Sequence, residues 1–461
     1  MAYATINPAT GEHLATFPAH TPKEVETALA NAQKAYVKWR CLSYAERALI
    51  VNRAAEIMRE RTDEFSKLIT LEMGKIYQEA VGETQLSADI LSYYAENAET
   101  FLAPELLSQK DGEAVVVSQP IGVLFGIEPW NFPYYQLARF VAPNLIAGNT
   151  VIIKHAPSVP QCANLFEKLF VDAGAEPGVY TNLRLSDEQA GKVIADERVK
   201  GVAVTGSDRA GSAVASQAGK AMKRSTMELG GSDPFIVLDD ANLDKALKWA
   251  LWSRLLNCGQ GCVCAKRFII AEPLYDRFLA GAQQGIATTK VGDPMQKDTN
   301  IGPLASGKQR DTLVDQVDRS VKAGATLVTG GKAVEGPGFF FEPAILTDIK
   351  KGNPAYAEEF FGPVFLMFKV KDEAEAIALA NDTLFGLAST VFSEDKERAA
   401  RVAAQIDAGM VFINHPAWTA PDLPFGGVKH SGYGRELSRL GIQEFVNKKL
   451  IRTQDAPSQA L

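Results

Sequence analysis

The sequence predicts an α/β protein built from two doubly wound domains. At 461 residues the chain exceeds one ordinary hydrophobic core, so more than one domain is expected. Apolar runs such as Ile121-Gly122-Val123-Leu124-Phe125-Gly126-Ile127 lack the polar alternation of a half-exposed strand and fit parallel strands covered on both faces. These runs alternate with stretches of helical period in two separate series. That is the mark of repeated βα units, which bind ligands beyond the carboxyl ends of their strands.

Taken in order, Asn7-Pro8-Ala9-Thr10-Gly11 is a turn between short extended runs. Thr21-Pro22-Lys23-Glu24 reads as an N-cap, a proline at the first helical position and an acid in the first turn. Apolar residues at three- and four-residue spacing then fill 25–39, 45–61, 64–72 and 79–101, which read as surface helices without chemistry. The β-rich stretch 112–119 stops at Pro120, and strands follow at 121–127, 151–154, 179–185 and 201–205, with a helix at 160–173. The second series has strands at 235–238, 266–270, 326–328, 364–370 and 409–414, and helices at 242–256, 275–289 and 373–381. Residues 423–429 are a glycine-rich loop, a helix is expected near 435–445, and 447–453 is a strand able to pair with another chain.

Composition excludes several classes. The chain is 46% hydrophobic and 22% charged, as soluble globular proteins are. A formal net charge of −7 leaves no basic footprint for nucleic acid or an anionic membrane. No apolar run reaches transmembrane length, and the opening MAYATINPATGEHLATF has no signal-peptide pattern. Five cysteines are too few and too odd in number for a secreted disulfide framework, so a reducing cytoplasm is expected.

Three of those cysteines, Cys258, Cys262 and Cys264, fall inside Asn257-Cys258-Gly259-Gln260-Gly261-Cys262-Val263-Cys264-Ala265-Lys266-Arg267. A thiol beside glycines and cations is a candidate nucleophile, because the thiolate attacks carbon well. Buried small hydrophobes, metal ligands and a redox pair are the competing readings. The C-x3-C-x-C spacing matches no common zinc pattern, so no metal is expected.

Other segments carry chemistry of their own. Val204-Thr205-Gly206-Ser207 ends a strand with a glycine turn and a helix-capping serine, a phosphate-binding arrangement that lacks the first glycine of G-x-G-x-x-G. Asn131, in Pro129-Trp130-Asn131-Phe132-Pro133, follows a strand end, where a side-chain amide can meet a developing oxyanion; an ordinary turn is the alternative. Glu228, in Glu228-Leu229-Gly230-Gly231, is either a general base or a surface acid, and Glu359 lies in an aromatic setting beside Phe360 and Phe361.

Together these motifs, with Pro424-Phe425-Gly426-Gly427, resemble the NAD(P)-dependent aldehyde dehydrogenases in kind and order across nearly the whole chain, and Glu228 and Cys262 stand 34 residues apart as in that family. The resemblance implies two Rossmann-like domains and a small β oligomerisation flap. The cofactor-binding domain would comprise 1–109 and 121–228 and the catalytic domain 229–430, with 110–120 and 431–461 as flap and tail. A homodimer or homotetramer acting on a small-molecule aldehyde is implied. Cys262 would attack the aldehyde, Asn131 would hold the oxyanion, and Glu228 would activate the hydrolytic water. Trp130, Lys154, Gly206, Ser207, Leu229 and Glu359 would bind the cofactor.

Within the family the chain is most like the bacterial succinate-semialdehyde dehydrogenases, because Cys262-Val263-Cys264 resembles their cysteine pair, in which Cys264 would serve as a redox switch. Phe132 and Phe425 would line the aldehyde site, and Arg139 would bind a second substrate carboxylate bidentately; a structural ion pair is the other reading. Leu256 departs from the pattern, standing where some of those enzymes carry a second arginine. Pro157 stands at the position that discriminates NAD from NADP and neither accepts from a 2′-hydroxyl nor repels a phosphate. NAD is favoured, with NADP also expected to work. A broader-specificity enzyme for another small aldehyde, or a catalytically dead nucleotide-binding scaffold, are the alternatives.

Overall fold

The computed structural model describes residues 3–109 and 112–454; the ends of the expected segments at 1–2, 110–111 and 455–461 lie outside the described residues. Antiparallel strands β1 (Tyr3–Ile6) and β2 (His13–Phe17) precede helices α1 (Pro22–Trp39), α2 (Tyr44–Glu60), α3 (Thr62–Met73) and α4 (Tyr77–Phe101). After β3 (Glu105–Ser108) and β4 (Ala114–Pro120) comes a first βα series. It contains β5 (Val123–Glu128), α5 (Pro133–Ala147), β6 (Thr150–His155), α6 (Pro160–Asp172) and β7 (Tyr180–Asn182), then α7 (Asp187–Ala195), β8 (Val199–Thr205), α8 (Asp208–Lys220) and β9 (Arg224–Glu228).

The second series opens with β10 (Pro234–Val237), α9 (Leu243–Leu255), β11 (Arg267–Ala271), α10 (Glu272–Ala287) and α11 (Gly307–Lys322). It continues through β12 (Thr326–Thr329), β13 (Ala344–Thr347), α12 (Pro354–Ala357), β14 (Val364–Val370), α13 (Glu373–Asn381), β15 (Ala388–Phe392), α14 (Lys396–Ala403) and β16 (Met410–Ile413). The chain closes with β17 (Gly432–Tyr433), α15 (Ser438–Gly441) and β18 (Val446–Arg452).

Two mostly parallel sheets result. The first has the order β17-β9-β8-β5-β6-β7, with β17 alone antiparallel; the second has β12-β13-β14-β11-β10-β15-β16, with β12 alone antiparallel. Their central strands are buried on both faces, as continuous apolar runs require. A separate antiparallel sheet, β18-β4-β3, draws β3 out of the segment 1–109. Thr21 and Glu24 form the capping box that starts α1. Among the described residues no helix is long and apolar enough to cross a membrane.

Three local expectations are corrected. Residues 133–147, where no helix is expected, form α5, every residue of which is buried. A helix covered on all sides has no polar face, so it shows no amphipathic period. The helix expected near 435–445 shrinks to the single turn of α15, because Glu436 and Phe425 exchange main-chain hydrogen bonds at 2.8 Å and Leu437 takes a left-handed φ of 59°. Finally, α4 is no plain surface helix: Glu83 is buried in an ion pair with Lys75 and accepts the N–H groups of Tyr134 (2.9 Å) and Tyr135 (3.2 Å) at the start of α5.

Candidate active site

The cysteine-rich stretch runs from the end of α9 to the start of β11. Asn257 and Cys258 are left-handed, with φ of 53° and 54°. That conformation costs a non-glycine residue about 1–3 kcal/mol, so the turn must be held from outside. Glu79 accepts the Asn257 N–H at 2.9 Å, and Asn257 Nδ2 donates to the Asn131 carbonyl at 2.8 Å. Gln260 Oε1 accepts the Ala305 N–H at 2.9 Å, and Arg254 donates to the carbonyls of Ala265 and Gly259.

Lys266, fully buried, donates to the carbonyls of Gly261 (2.9 Å), Cys262 (2.8 Å) and Cys264 (3.2 Å). The loop is therefore fixed around a buried ammonium. Cys258 packs into the core of the second sheet, and Cys264 is a buried free thiol whose Sγ lies 3.7 Å from the Leu256 carbonyl. Cys262 is half-buried where two cavities meet.

Asn131 and Glu228 border one of those cavities with Cys262. Asn131 Nδ2 spends one proton on the Gln260 carbonyl at 3.0 Å; an amide nitrogen carries two, so one donor remains. Glu228 ends β9, and both its buried carboxyl oxygens lack a hydrogen-bond partner among the described residues. Gly426, at φ +149°, abuts it so closely that a Cβ there would lie 2.6 Å from Glu228 Oε1, which explains the glycine in Pro424-Phe425-Gly426-Gly427. Burial holds the Glu228 carboxyl well above the usual range, partly offset by the Arg139 cation. Burial likewise pushes the Cys262 thiol up to about 12, with Arg139 and Lys266 opposing and Asp233 and Glu228 reinforcing the rise.

This cavity, about 260 Å³, also runs past Trp130, Gly206, Ser207, Leu229, Glu359 and Phe361. Ser207 caps α8 by accepting the Ala210 N–H at 3.3 Å, and Trp130 meets Phe361 edge to face at 5.8 Å. A Cβ on Gly211 would overlap Leu229, and one on Gly230 would overlap the Glu359 carboxylate. These glycines let α8 and the β9–β10 connection close tightly around the cleft. Glu359 accepts the Gly231 N–H at 3.1 Å and lies 3.4 Å from Lys266. Lys154, buried at the carboxyl end of β6, has one ion-pair partner among the described residues, the exposed Asp187 carboxylate at 3.9 Å. Pro157, just beyond, is half-buried with its carbonyl taken by the Ala4 N–H at 3.0 Å.

The donor set fits a nicotinamide dinucleotide. A helix N-terminus and an underused buried ammonium suit anionic phosphate, a carboxylate suits ribose hydroxyls, and an aromatic-edged cleft reaches the thiol.

The second cavity, about 410 Å³, lies on the other side of Cys262 and is walled by Phe132, Tyr135, Leu256, Val263, Trp418 and Phe425. Arg139 does not line it. Its guanidinium is fully buried in an ion pair with Glu436, donates to Thr205 and to the Tyr135 hydroxyl (both 3.2 Å), and stacks on the Phe425 ring at 4.5 Å. The carboxylate-reading role expected from its register gives way to the ion-pair reading, since Tyr135 and Phe425 stand between it and the cavity.

Several contributors escaped sequence reasoning. Lys75 and Glu83 hold the Asn131 carbonyl and the start of α5, with Lys75 Nζ 3.6 Å from the Phe132 ring centre. Gln136, buried with an unpartnered Oε1, borders both cavities. Lys266 was visible only as half of a cationic pair; its role depends on three carbonyls that the loop's turn brings together. Lys266→Met should cut kcat on the order of 100-fold, since slight misplacement of a reacting group costs that much. A wild-type kcat in steady-state assays would show that the clamp is dispensable.

A half-buried thiol, an amide and a carboxyl unpaired among the described residues, meeting between a dinucleotide cleft and an apolar pocket, define an aldehyde-oxidising type of site. The chain belongs to the aldehyde dehydrogenase family, whose model matches residues 1–451. It is 50% identical over 460 residues to the succinate-semialdehyde dehydrogenase [NADP(+)] of Deinococcus radiodurans, covering 99% of this chain and 96% of that one. It is 44% identical to the probable succinate-semialdehyde dehydrogenase [NADP(+)] of a Synechocystis species, covering 98% and 99%. The crystal structure of succinic semialdehyde dehydrogenase from Streptococcus pyogenes, in complex with NADP+, superposes with a TM-score of 0.97 at 46% identity, covering 98% of this chain and all (100%) of that one.

Proposed function

We propose that this protein oxidises succinate semialdehyde to succinate, with NADP+ as the preferred acceptor and NAD+ also used. The observation that carries the reading is the meeting of Cys262, Asn131 and Glu228 where the two cavities join. The relatives' substrate and cofactor support the particulars, and so does the absence of an acid at Pro157 that would repel a 2′-phosphate. The sequence favours NAD with NADP also working; the order of preference proposed here follows the NADP(+) named for the relatives. Trp130, Lys154, Gly206, Ser207, Leu229 and Glu359 would hold the dinucleotide, which when bound accepts the hydride.

The chain's own residues do the rest. Glu228, once ionised, takes the Cys262 proton, and the thiolate adds to the aldehyde carbon while the carbonyl pair moves onto oxygen. That oxyanion faces the remaining Asn131 proton and the Cys262 main-chain N–H, which donates to no group among the described residues. As the adduct collapses, hydride departs and a Cys262 thioester is left. Glu228 releases that proton to solvent and, ionised again, removes one from water, which attacks the thioester carbon and expels the thiolate. Lys75 and Asn257 keep the Asn131 main chain in place throughout. Gln136 offers its amide to the polar end of the substrate from a buried position.

Steady-state kinetics on succinate semialdehyde and butanal, with both dinucleotides, test the reading. Succinate semialdehyde with NADP+ should give the highest kcat/KM. If butanal exceeds it, the semialdehyde assignment falls; if NAD+ exceeds NADP+, the acceptor preference does.

A further inference from the structure

Behind the cleft, three acids crowd one cation. Glu128 closes β5 in register with His155 on β6, and on its other side Ile127 is registered with Val204 on β8. Thr205, the next residue of β8, is registered with Glu228 on β9. Side chains alternate between the two faces along each strand, so registered neighbours share a face. His155, Glu128, Thr205 and Glu228 therefore form one row across the carboxyl end of the sheet. Helix α5 covers that face: a Cβ on Gly126, two residues before Glu128, would lie 2.8 Å from the Phe140 ring, and Arg139 donates to Thr205 Oγ1 at 3.2 Å.

The Arg139 guanidinium above the row is already ion-paired with Glu436. Glu128 is buried, and like Glu228 it has no hydrogen-bond partner for either carboxyl oxygen among the described residues. A buried carboxylate left so is strongly disfavoured. Its other neighbours bring no second positive charge. His155 accepts the Ala156 N–H on Nδ1 at 2.8 Å and so donates from Nε2 to the Pro133 carbonyl, also at 2.8 Å; burial pushes it down to about 4, which keeps the ring neutral. Tyr180, from β7, keeps its phenol proton. Near Glu228, Arg435 donates to the carbonyls of Gly427 (2.9 Å) and Gly434 (2.7 Å), and Glu444 adds a further acid. Burial thus holds both Glu128 and Glu228 well above the usual carboxylate range, with Arg139 opposing and Glu436 adding to the rise.

We propose that Glu128 and Glu228 share one proton under Arg139, so that an ionised Glu128 keeps Glu228 protonated. Glu128 borders neither cavity and acts through Glu228, as a positioning residue that sets the pH at which the base works. The inference rests on the base role proposed for Glu228 and names what regulates it. One proton on two carboxyls leaves one negative charge beside the Arg139–Glu436 pair. A second ionisation sends that proton to solvent and sets two like charges in one buried row, so the acids titrate as a pair in two steps. In the first step the charge is divided between them, and only part of the enzyme holds it on Glu228.

The pH dependence of Cys262 alkylation by iodoacetamide, located by mass spectrometry, reads the base without aldehyde or dinucleotide. In Glu128→Gln the Glu228-dependent limb should move down by about one pH unit, as expected when a neighbouring like charge is removed. The matching limb of kcat for succinate semialdehyde should move with it. Glu128→Met, of similar size and uncharged, should give the same shift, whereas Glu128→Asp, which keeps the acid, should stay close to wild type. Both shifts should vanish in a Glu228→Gln background, because the group they act through is gone.

A limb that Glu128→Gln and Glu128→Met leave unmoved or move upward, or a shift that survives in Glu228→Gln, overturns the proposal. If succinate semialdehyde is still oxidised in that case, the proposed function stands without it. If the alkylation limb shifts as expected but no aldehyde yields NADPH, the proposed function falls and the coupling of the two acids stands.

Discussion

Cys262→Ala should lower kcat on the order of 10⁴-fold or more while leaving dinucleotide binding within about threefold of wild type. The size follows from removing the group on which both the adduct and the thioester form, so that no lesser route keeps the two-step chemistry. The sparing of the cofactor follows from geometry. Cys262 contributes a thiol to the junction of the cavities, whereas the helix cap at Ser207, Lys154 and the Glu359 carboxylate are held by other elements. Alanine also keeps the main-chain N–H and the Lys266 clamp, which holds carbonyls and not the thiol. Rapid-mixing kinetics with a fluorescence measurement of NADPH affinity check both halves. Residual turnover above one-hundredth of wild type would remove Cys262 from its role.

Glu228→Gln should separate the two chemical steps. Hydrolysis of the thioester needs a base for water, and loss of a general base costs about 10²–10⁴-fold. The variant should therefore show a burst of up to one NADPH per site followed by slow turnover, provided the substrate is added at a pH where the thiol can ionise unaided. The wild-type rate should rise with pH. Both Glu228 and Cys262 are held protonated by burial, so each becomes competent only as the pH climbs, and Arg139 limits how far. In Glu228→Gln the part of that rise due to the carboxyl disappears. Linear progress without a burst, or an unchanged pH profile, would assign the base to another group.

Much of this protein was legible in the linear sequence. The βα alternation could be read because a strand buried on both faces is apolar at every position, and 123–128 and 150–155 proved to be such strands. The Thr21-Pro22-Lys23-Glu24 cap was readable because capping is a local hydrogen-bond problem that four residues solve among themselves. The order of the short motifs around Asn131, Glu228, Cys262, Glu359 and Phe425 was enough to place the chain in its family, since five motifs in one order are far more specific than any one of them.

What the sequence left open were questions of partnership over distance. Arg139 could read a ligand or pair with an acid, and one buried carboxylate, Glu436, decided the matter by enclosing the guanidinium behind Tyr135 and Phe425. The helix 133–147 was hidden because neighbours on every side erase the polar face by which a helix is recognised. Glu79 and Lys75 carry no local signature and Lys266 shows only as half of a cationic pair; they matter because folding delivers to each of them the backbone groups that fix the Cys262 loop and Asn131. The sequence alone thus determined the fold class and the family and pointed to the side chains proposed to react. The tertiary structure alone decided which charges face the substrate, because a charge's role depends on what closes over it.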